Sequence, residues 1–502
     1  MKLNVSGNIN QYYVQTLCMI FFPGEKFSEK QSEQQDEAGA AVPELSLVLE
    51  ENTEGVTVRA ELCLDEKYAS CEKIYPIRDD VTYDRLKKIA VGDAIISVCG
   101  EVIGYRPSWG MLVGVRPSKV ATEMLESGMS KTRVKKTLVG DYFVIPKKAA
   151  LATEVALNEA EFVKSADPKD CSVYISIPFC PTRCAYCSFV SYTSKKLLST
   201  IPDYLIALAD EINKTFDLIR ELGLRVRTIY IGGGTPTILD ADQLDWLLSV
   251  VERNTDVSLV DEYTLEAGRP DTISEDKLRT AIAHGVNRIS VNPQTLNDDV
   301  LRIIGRSHTS EDFLRAYDMA RNSGVEIINT DVIAGLPGDK FSSFAASFDK
   351  IVSLSPENIT VHTFSVKKAS DVLKNGTHIY SVRGGDVGKC VDYSQITASH
   401  EGYTPYYMYR QKNTVGNYEN VGFARDGKKG LYNIYMMEEI HSIFACGAGA
   451  VSKFVDHTST SREERTIERF FNQKYPYEYL SDNKTDAKIA AAREFYLRRG
   501  LV

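Results

Sequence analysis

Tryptophan and histidine are scarce in this 502-residue chain, with two of the first and seven of the second. The histidines, at 284, 308, 362, 378, 400, 441 and 457, include no pair at the i, i+4 spacing, which excludes a helical two-histidine metal site. No apolar run reaches membrane length and the first residues carry no secretory pattern, so no membrane span and a cytoplasmic location are expected. Charge of one sign is nowhere concentrated: 59 Lys and Arg against 68 Asp and Glu give a net charge of −9 without a long like-charge run. Nucleic acid and an anionic membrane surface are therefore not expected partners. Of the ten cysteines, Cys18, Cys63, Cys71, Cys99, Cys171, Cys390 and Cys446 are scattered without a disulfide-like pattern, as in a reducing compartment.

The other three cysteines are not scattered. Cys180-Pro-Thr-Arg-Cys184-Ala-Tyr-Cys187 follows directly on the apolar run Val173-Tyr-Ile-Ser-Ile177. Iron–sulfur cubanes usually take four cysteines, so a triad with no fourth nearby leaves one iron open to another ligand. The spacing predicts a [4Fe–4S] cluster on Cys180, Cys184 and Cys187, with the chemistry at the open iron. Structural zinc and inert buried thiols are the competing readings; against zinc, no second Cys/His pair follows downstream.

Three regions are expected: an N-terminal α+β accessory domain over 1–165, a barrel region over 166–370, and a C-terminal α+β substrate-capping region over 371–502. In the first, strand-like runs at Leu45–Leu49 and Val56–Ala60 precede a helical stretch from Tyr83 to Val102, and the polar run from Gln31 to Pro43 reads as a loop. From Ser172 onward, predicted strands near 172–177, 227–231, 262–266, 287–291, 326–332 and 358–364 alternate with amphipathic helices. Such alternation gives right-handed βαβ units and a parallel sheet, and six units are too few to close an eight-stranded barrel. The expected fold is an open, partial (β/α)6 barrel of the α/β class. Its active site belongs to the loops at the C-terminal strand ends.

The polar landmarks cluster there: the cysteine loop, Gly232-Gly-Gly-Thr-Pro-Thr237, Glu266-Ala-Gly-Arg-Pro270, Val291-Asn-Pro-Gln294, Asp331 and Ser365. Glycines let backbone N–H groups approach a ligand closely, although tight turns use them too. Glu266, Gln294 and Asp331 supply acceptors and Arg306 a fork for a carboxylate, each also able to serve as a cap or surface pair.

Taken with Ile304-Gly-Arg-Ser-His308, Asn329-Thr-Asp-Val-Ile-Ala-Gly-Leu-Pro-Gly338 and Gly447-Ala-Gly-Ala-Val-Ser452, these motifs resemble the oxygen-independent coproporphyrinogen III oxidase family of radical S-adenosylmethionine (SAM) proteins over about 172–455. Trp109-Gly and Gly114-Val-Arg-Pro-Ser-Lys119 are similar to its coproporphyrinogen dehydrogenase branch, HemZ. The resemblance implies SAM chelated at the open iron and places Tyr174, Gly233 and Glu266 on that ligand. Tyr186, Gly234, Thr235, Gln294, Arg306, Asp331 and, more loosely, Ser365 then match positions that contact SAM in a family able to hold two such molecules. It further implies oxidative decarboxylation of coproporphyrinogen III propionates to vinyls, giving protoporphyrinogen IX in haem biosynthesis. Also implied are a low-potential donor of flavodoxin or ferredoxin type and a monomeric chain.

Three departures stand out. Phe189 occupies the place of a further cysteine in the founding oxidases, and strand three ends in Glu266-Ala-Gly-Arg-Pro270 rather than the usual acidic motif. The His-Asn-x-x-Tyr-Trp element of the haem-chaperone branch reads here as Tyr432-Asn-Ile-Tyr-Met436. A haem-delivery protein, or a radical SAM enzyme on another tetrapyrrole, are the alternatives on the same scaffold. Arg183, Arg269, Arg306, Lys367 and Lys368 are candidate partners for substrate carboxylates, and His308 and His362 candidates to face substrate.

Overall fold

The computed structural model describes residues 1–23, 25–27, 42–114, 116–187, 191–365, 385–411, 414–459, 465–482 and 484–501. The stretch 31–41 of the expected polar loop, Phe189, Lys367 and Lys368 lie outside them.

The N-terminal strands are longer than the periodicity suggested. Around β1 (Lys2–Ser6), β2 (Glu44–Asn52), β3 (Gly55–Leu64) and β4 (Lys67–Pro76) a four-stranded sheet forms in that order, β1 parallel to β2 and the rest antiparallel. Period two puts Leu45, Leu47 and Leu49 of β2 and Val58, Ala60 and Leu62 of β3 on one buried face, against which the helix Tyr83–Ile103 packs. Thr82 caps that helix and Gly104, at φ 67°, ends it. β4 gave no strand signal because it is an edge strand with a mostly polar sequence that buries only Ala69.

The second sheet holds β5 (Asp170–Ile177), β6 (Arg225–Gly233), β7 (Glu262–Glu266), β8 (Arg288–Ser290), β9 (Ile327–Ala334) and β10 (Asn358–Thr363), consecutive and parallel. The helices Ile201–Glu221, Ala241–Asn254, Glu275–Ala283, Ser310–Asn322 and Phe341–Ser353 fall between them at the expected places. The arc does not close. β12 (Asn420–Ala424) lies antiparallel on β10 with β11 (Thr404–Tyr409) beyond it. At the other edge β13 (Ser442–Cys446) runs parallel to β5, followed by β14 (Val451–Val455) and β15 (Ile467–Phe471). An open partial barrel with C-terminal strands on both edges leaves no bare edge on β5 or β10.

Two buried carboxylates fasten this extension. Glu211, on the helix Ile201–Glu221, accepts from Gly447 N at 2.6 Å, Tyr479 Oη at 2.6 Å and Asn472 Nδ2 at 2.8 Å, and pairs with Lys488. Gly447 has φ +97°, and a Cβ there would stand 2.6 Å from Ser176 O, so this glycine is dictated by packing. Inside the barrel Glu262 pairs with Arg288 at 3.1 Å and accepts from Leu431 N at 2.6 Å, holding the N-terminus of the helix Leu431–Glu438. That seats Tyr432 in a three-ring stack, its centroid 4.6 Å from Tyr230 and 6.3 Å from Tyr174.

The described chain forms two compact units. One takes in Met1–Leu157 together with Tyr409–Glu419, and the other carries the partial barrel. Among the described residues no helix is long and apolar enough to cross a membrane.

Candidate active site at the C-terminal ends of the barrel strands

The cysteine loop, the glycine loop, Gln294 and Ser365 follow their strands, while Glu266 is the last residue of β7 and Asp331 lies within β9. β5 runs into the cysteine loop, where the Cys180 Sγ lies 3.2 Å from Thr235 Oγ1 and is largely buried. The loop is then bound down residue by residue: Ala185 N donates to Ile304 O at 3.0 Å and Cys187 N to Cys184 O at 3.1 Å. Arg269 Nη1 donates to Thr182 O at 3.1 Å and lies 3.7 Å from Cys184 Sγ, while its other nitrogens hold Asp271. Arg306 donates to Tyr186 Oη at 2.8 and 3.2 Å and to Gly268 O at 3.0 Å.

These bonds alter two expectations. Arg269 and Arg306 are spent on the cysteine loop and its neighbour, so neither offers a free fork to a substrate carboxylate; of the described candidates only Arg183 is exposed. His308 does not face an open site either: it is 3% exposed, and burial beside Arg306 and Arg269 pushes its imidazole down to about 4. His362 does lie at the strand ends, with Nε2 3.5 Å from Asp331 Oδ2.

The glycine loop after β6 lies directly on the lead-in to the cysteines. Gly234 N donates to Ile177 O and Thr235 N to Phe179 O, both at 2.8 Å. A Cβ on Gly234 would meet Phe179 O at 2.5 Å, and Gly233 takes φ +107°. Gly234 was expected to make room for a ligand; what the structure shows is that it makes room for its own neighbouring loop.

Glu266 ends β7 and accepts from Tyr230 Oη at 2.5 Å. Asp331 accepts from Asn329 Nδ2 at 2.7 Å and Asn292 Nδ2 at 3.0 Å. The two acids are driven apart: burial pushes Glu266 up to about 7, whereas for Asp331 the same burial is outweighed by hydrogen bonds from His362, Asn329 and Thr360, which hold it below the usual carboxylate range. Gln294 sits at φ 67°, its backbone tied to Asp331 O and Ile333 N, and its buried Oε1 has no hydrogen-bond partner among the described residues. Ser365 is buried just beyond β10, and Tyr174 lies in β5 at the base of the ring stack. Tyr230, Asn292 and Asn329 were not singled out from sequence. Asn329 was legible, because it shares a strand face with Asp331 two residues on.

The donor set fits the predicted group. Three cysteines outside any disulfide stand on one short loop, and among the described residues the buried Gln294 Oε1 has no hydrogen-bond partner, as an acceptor for a polar ligand would. Among the described residues no three His, Cys, Asp or Glu side chains converge on a single ion. A cubane sets each thiolate on its own iron corner and needs no such convergence.

The pKa of Glu266 makes a prediction for the ligand-free protein. A carboxyl raised on folding contributes stability below its unfolded pKa and loses it as pH climbs through about 7. From this group alone, roughly 3 kcal/mol should disappear between acid and mildly alkaline pH. Glu266→Gln should flatten that slope when melting temperature is followed against pH. An unchanged slope would assign the titration to another group.

The comparisons with known proteins agree with this geometry. Residues 174–351 match the family model described as the radical SAM superfamily. The chain is 36% identical over 459 residues to the oxygen-independent coproporphyrinogen-III oxidase-like protein HemZ of Bacillus subtilis (strain 168), covering 90% of each chain. It is 29% identical over 333 residues to the heme chaperone HemW of the same organism, covering 65% of this chain and 83% of the relative. Among solved structures, coproporphyrinogen III oxidase (HemN) from Escherichia coli, a radical SAM enzyme, aligns at 21% identity and TM-score 0.49 over 66% of this chain and 73% of its own. The radical SAM match coincides with the strands that carry the cysteine loop and its mouth, and the likeness to HemZ covers 90% of the chain. The chain therefore belongs to the radical SAM family of oxygen-independent coproporphyrinogen-III oxidase-like proteins, in its HemZ branch, and works with a [4Fe–4S] cluster and SAM.

Proposed function

We propose that the chain oxidatively decarboxylates the propionates of coproporphyrinogen III to vinyls, giving protoporphyrinogen IX. The observation that carries this reading is the interior of the barrel. Below Glu266 it holds the tyrosine stack, and the segment that is His-Asn-x-x-Tyr-Trp in the chaperone branch begins with Tyr432 in that stack. When bound, the cluster and SAM supply a carbon radical able to take hydrogen from an unactivated carbon. Each propionate would lose one hydrogen atom, one electron and carbon dioxide, so an electron acceptor is needed as well as the low-potential donor.

The proposed roles of the residues follow from their environments. Cys180, Cys184 and Cys187 hold the cluster, with Thr235 and Arg269 beside two of the sulfurs. Gly233 and Gly234 present backbone to SAM beside Tyr174 and Tyr186. Asp331, held anionic, suits an ammonium or ribose hydroxyls, and Glu266, poised near neutrality, can accept or donate. Gln294 supplies its unpaired acceptor, with Arg306 and Ser365 at the edge of the same site.

The likeness to HemW favours one second reading, haem delivery on the same scaffold. Anaerobic incubation with dithionite, SAM and coproporphyrinogen III separates the two. An enzyme forms 5′-deoxyadenosine in proportion to added porphyrinogen, with vinyl products on chromatography. Tight stoichiometric haem binding, with SAM cleavage indifferent to porphyrinogen, would favour the carrier.

A further inference from the structure

A second group of tyrosines borders the cysteine loop, and this one reaches solvent. Tyr192 is bound to the loop through its backbone: Cys180 N donates to Tyr192 O at 3.1 Å and Tyr192 N to Pro178 O at 2.9 Å. Its ring meets that of Tyr475 at 5.8 Å between centroids, and Tyr475 stacks in turn on Tyr477 at 5.3 Å. Tyr192 Oη donates to Lys474 O at 3.4 Å, and Lys474 Nζ stands 5.7 Å from the Tyr475 ring centroid. Tyr477 is 54% exposed, and Arg183, Lys195, Lys196 and Lys474 are exposed with it. Arg183 interacts electrostatically with Tyr192, as does Glu478. Lys195 and Lys196 follow Tyr192 by three and four residues, which keeps their backbone within about 14 Å of it.

The charge of this surface runs against that of the chain. From Cys180 to Pro202 there are three basic residues, Arg183, Lys195 and Lys196, and no acidic one, whereas the whole chain has a net charge of −9. Lys474 adds a fourth cation beside the single anion Glu478. Solvent-reaching aromatic rings are the composition of an interface core, and surrounding charge of one sign steers a partner of the other. A patch built on three rings is small, as in the weak, rapidly exchanging encounters of electron-transfer proteins. With the cluster on Cys180, Cys184 and Cys187, the patch lies one backbone hydrogen bond from a cluster ligand. That cluster must receive an electron from another molecule before SAM is cleaved.

We propose that Tyr475 and Tyr477, with Lys195, Lys196 and Lys474 around them, form the docking surface for an acidic one-electron carrier protein that reduces the cluster. One electron passes: the carrier is oxidised by one, the cluster is reduced by one, and no atom is transferred. The inference rests on the cluster assignment proposed above and is independent of the substrate.

The test uses full-length reconstituted protein mixed anaerobically with reduced flavodoxin, an acidic carrier, and separately with dithionite, a small reductant that needs no docking surface. Bleaching of the cluster absorption gives the rate of reduction, and calorimetry with oxidised flavodoxin gives the affinity. The double change Lys195→Glu with Lys196→Glu, and the double change Lys474→Glu with Tyr477→Ser, should each slow reduction by flavodoxin and weaken its binding at least tenfold. Reduction by dithionite, iron content and melting temperature should stay at the parent's values. Raising the salt from about 50 to about 500 mM should slow the flavodoxin reaction of the parent about tenfold and that of the variants far less. Unchanged flavodoxin kinetics in both variants, or equal slowing with dithionite, would overturn the proposal. So would a change in oligomeric state without a change in the flavodoxin rate, which would give the surface to a second copy of the chain. Failure of the cluster assignment itself is distinct, because Cys180→Ala, Cys184→Ala and Cys187→Ala would then keep the absorption that dithionite bleaches.

Discussion

Cys180→Ala, Cys184→Ala and Cys187→Ala each abolish the cluster absorption and SAM cleavage together, while Cys171→Ala and Cys446→Ala keep both. The difference lies in surroundings rather than in the thiol. Cys171 is fully buried in β5, where its neighbour across the ladder is Ser442 of β13, and burial pushes its thiol far up. Cys446 is equally buried, lies within 3.4 Å of Thr215 Oγ1 and is pushed up to about 12. Both are protonated core residues with no route to iron, and truncating a small buried side chain costs on the order of 1 kcal/mol. The three loop cysteines are fixed by backbone and arginine bonds instead. Iron and sulfide content, visible spectra and 5′-deoxyadenosine yield on all five variants check this. Equal loss in Cys171→Ala or Cys446→Ala would remove the three-ligand assignment.

Gly234→Val loses the cluster as well as SAM. From sequence, Gly234 was expected to bring backbone close to SAM, which by itself would make a branched side chain there block SAM and spare the cluster. The structure shows the obstacle one step earlier: a Cβ at Gly234 stands 2.5 Å from Phe179 O and 2.9 Å from Phe179 N and C. These are backbone atoms immediately before Cys180, already fixed by the bond from Thr235 N. They cannot swing aside as a side-chain tip can, so the cysteine lead-in must shift, at a cost of about 1–3 kcal/mol for overpacking. Reconstituted Gly234→Val should hold well under half the iron of the parent and show no SAM binding by calorimetry. Gly140→Ala, where nothing lies within 4 Å of the new Cβ, is the matched control. Full iron content with only SAM affinity reduced would return the glycine to the simpler role.

The chemistry of the site was legible in the linear sequence because it is local. A cysteine triad encodes its own ligand geometry, and the period-two and period-3.6 runs after Ser172 place the landmarks on or just after the strands without any tertiary information. The open barrel followed from the same count, since six βα units cannot close. The sequence was weaker where side chains are shared between distant segments. Arg269 and Arg306 read equally well as substrate forks or surface charges, and only the fold shows them bound to the cysteine loop. Glu266 and Asp331 look alike as letters, yet hydrogen bonds from other strands push one up and hold the other down. Tyr432 joins Tyr230 and Tyr174 across some two hundred residues because Glu262 seats its helix inside the barrel. Arg410 is an ordinary arginine in sequence; only the fold buries it beside Trp109. Spacing along the chain determined the cofactor and the barrel, because ligand geometry and backbone periodicity are short-range. Long-range packing decided which charges are paired and which are exposed, because burial and partners are properties of the folded chain alone.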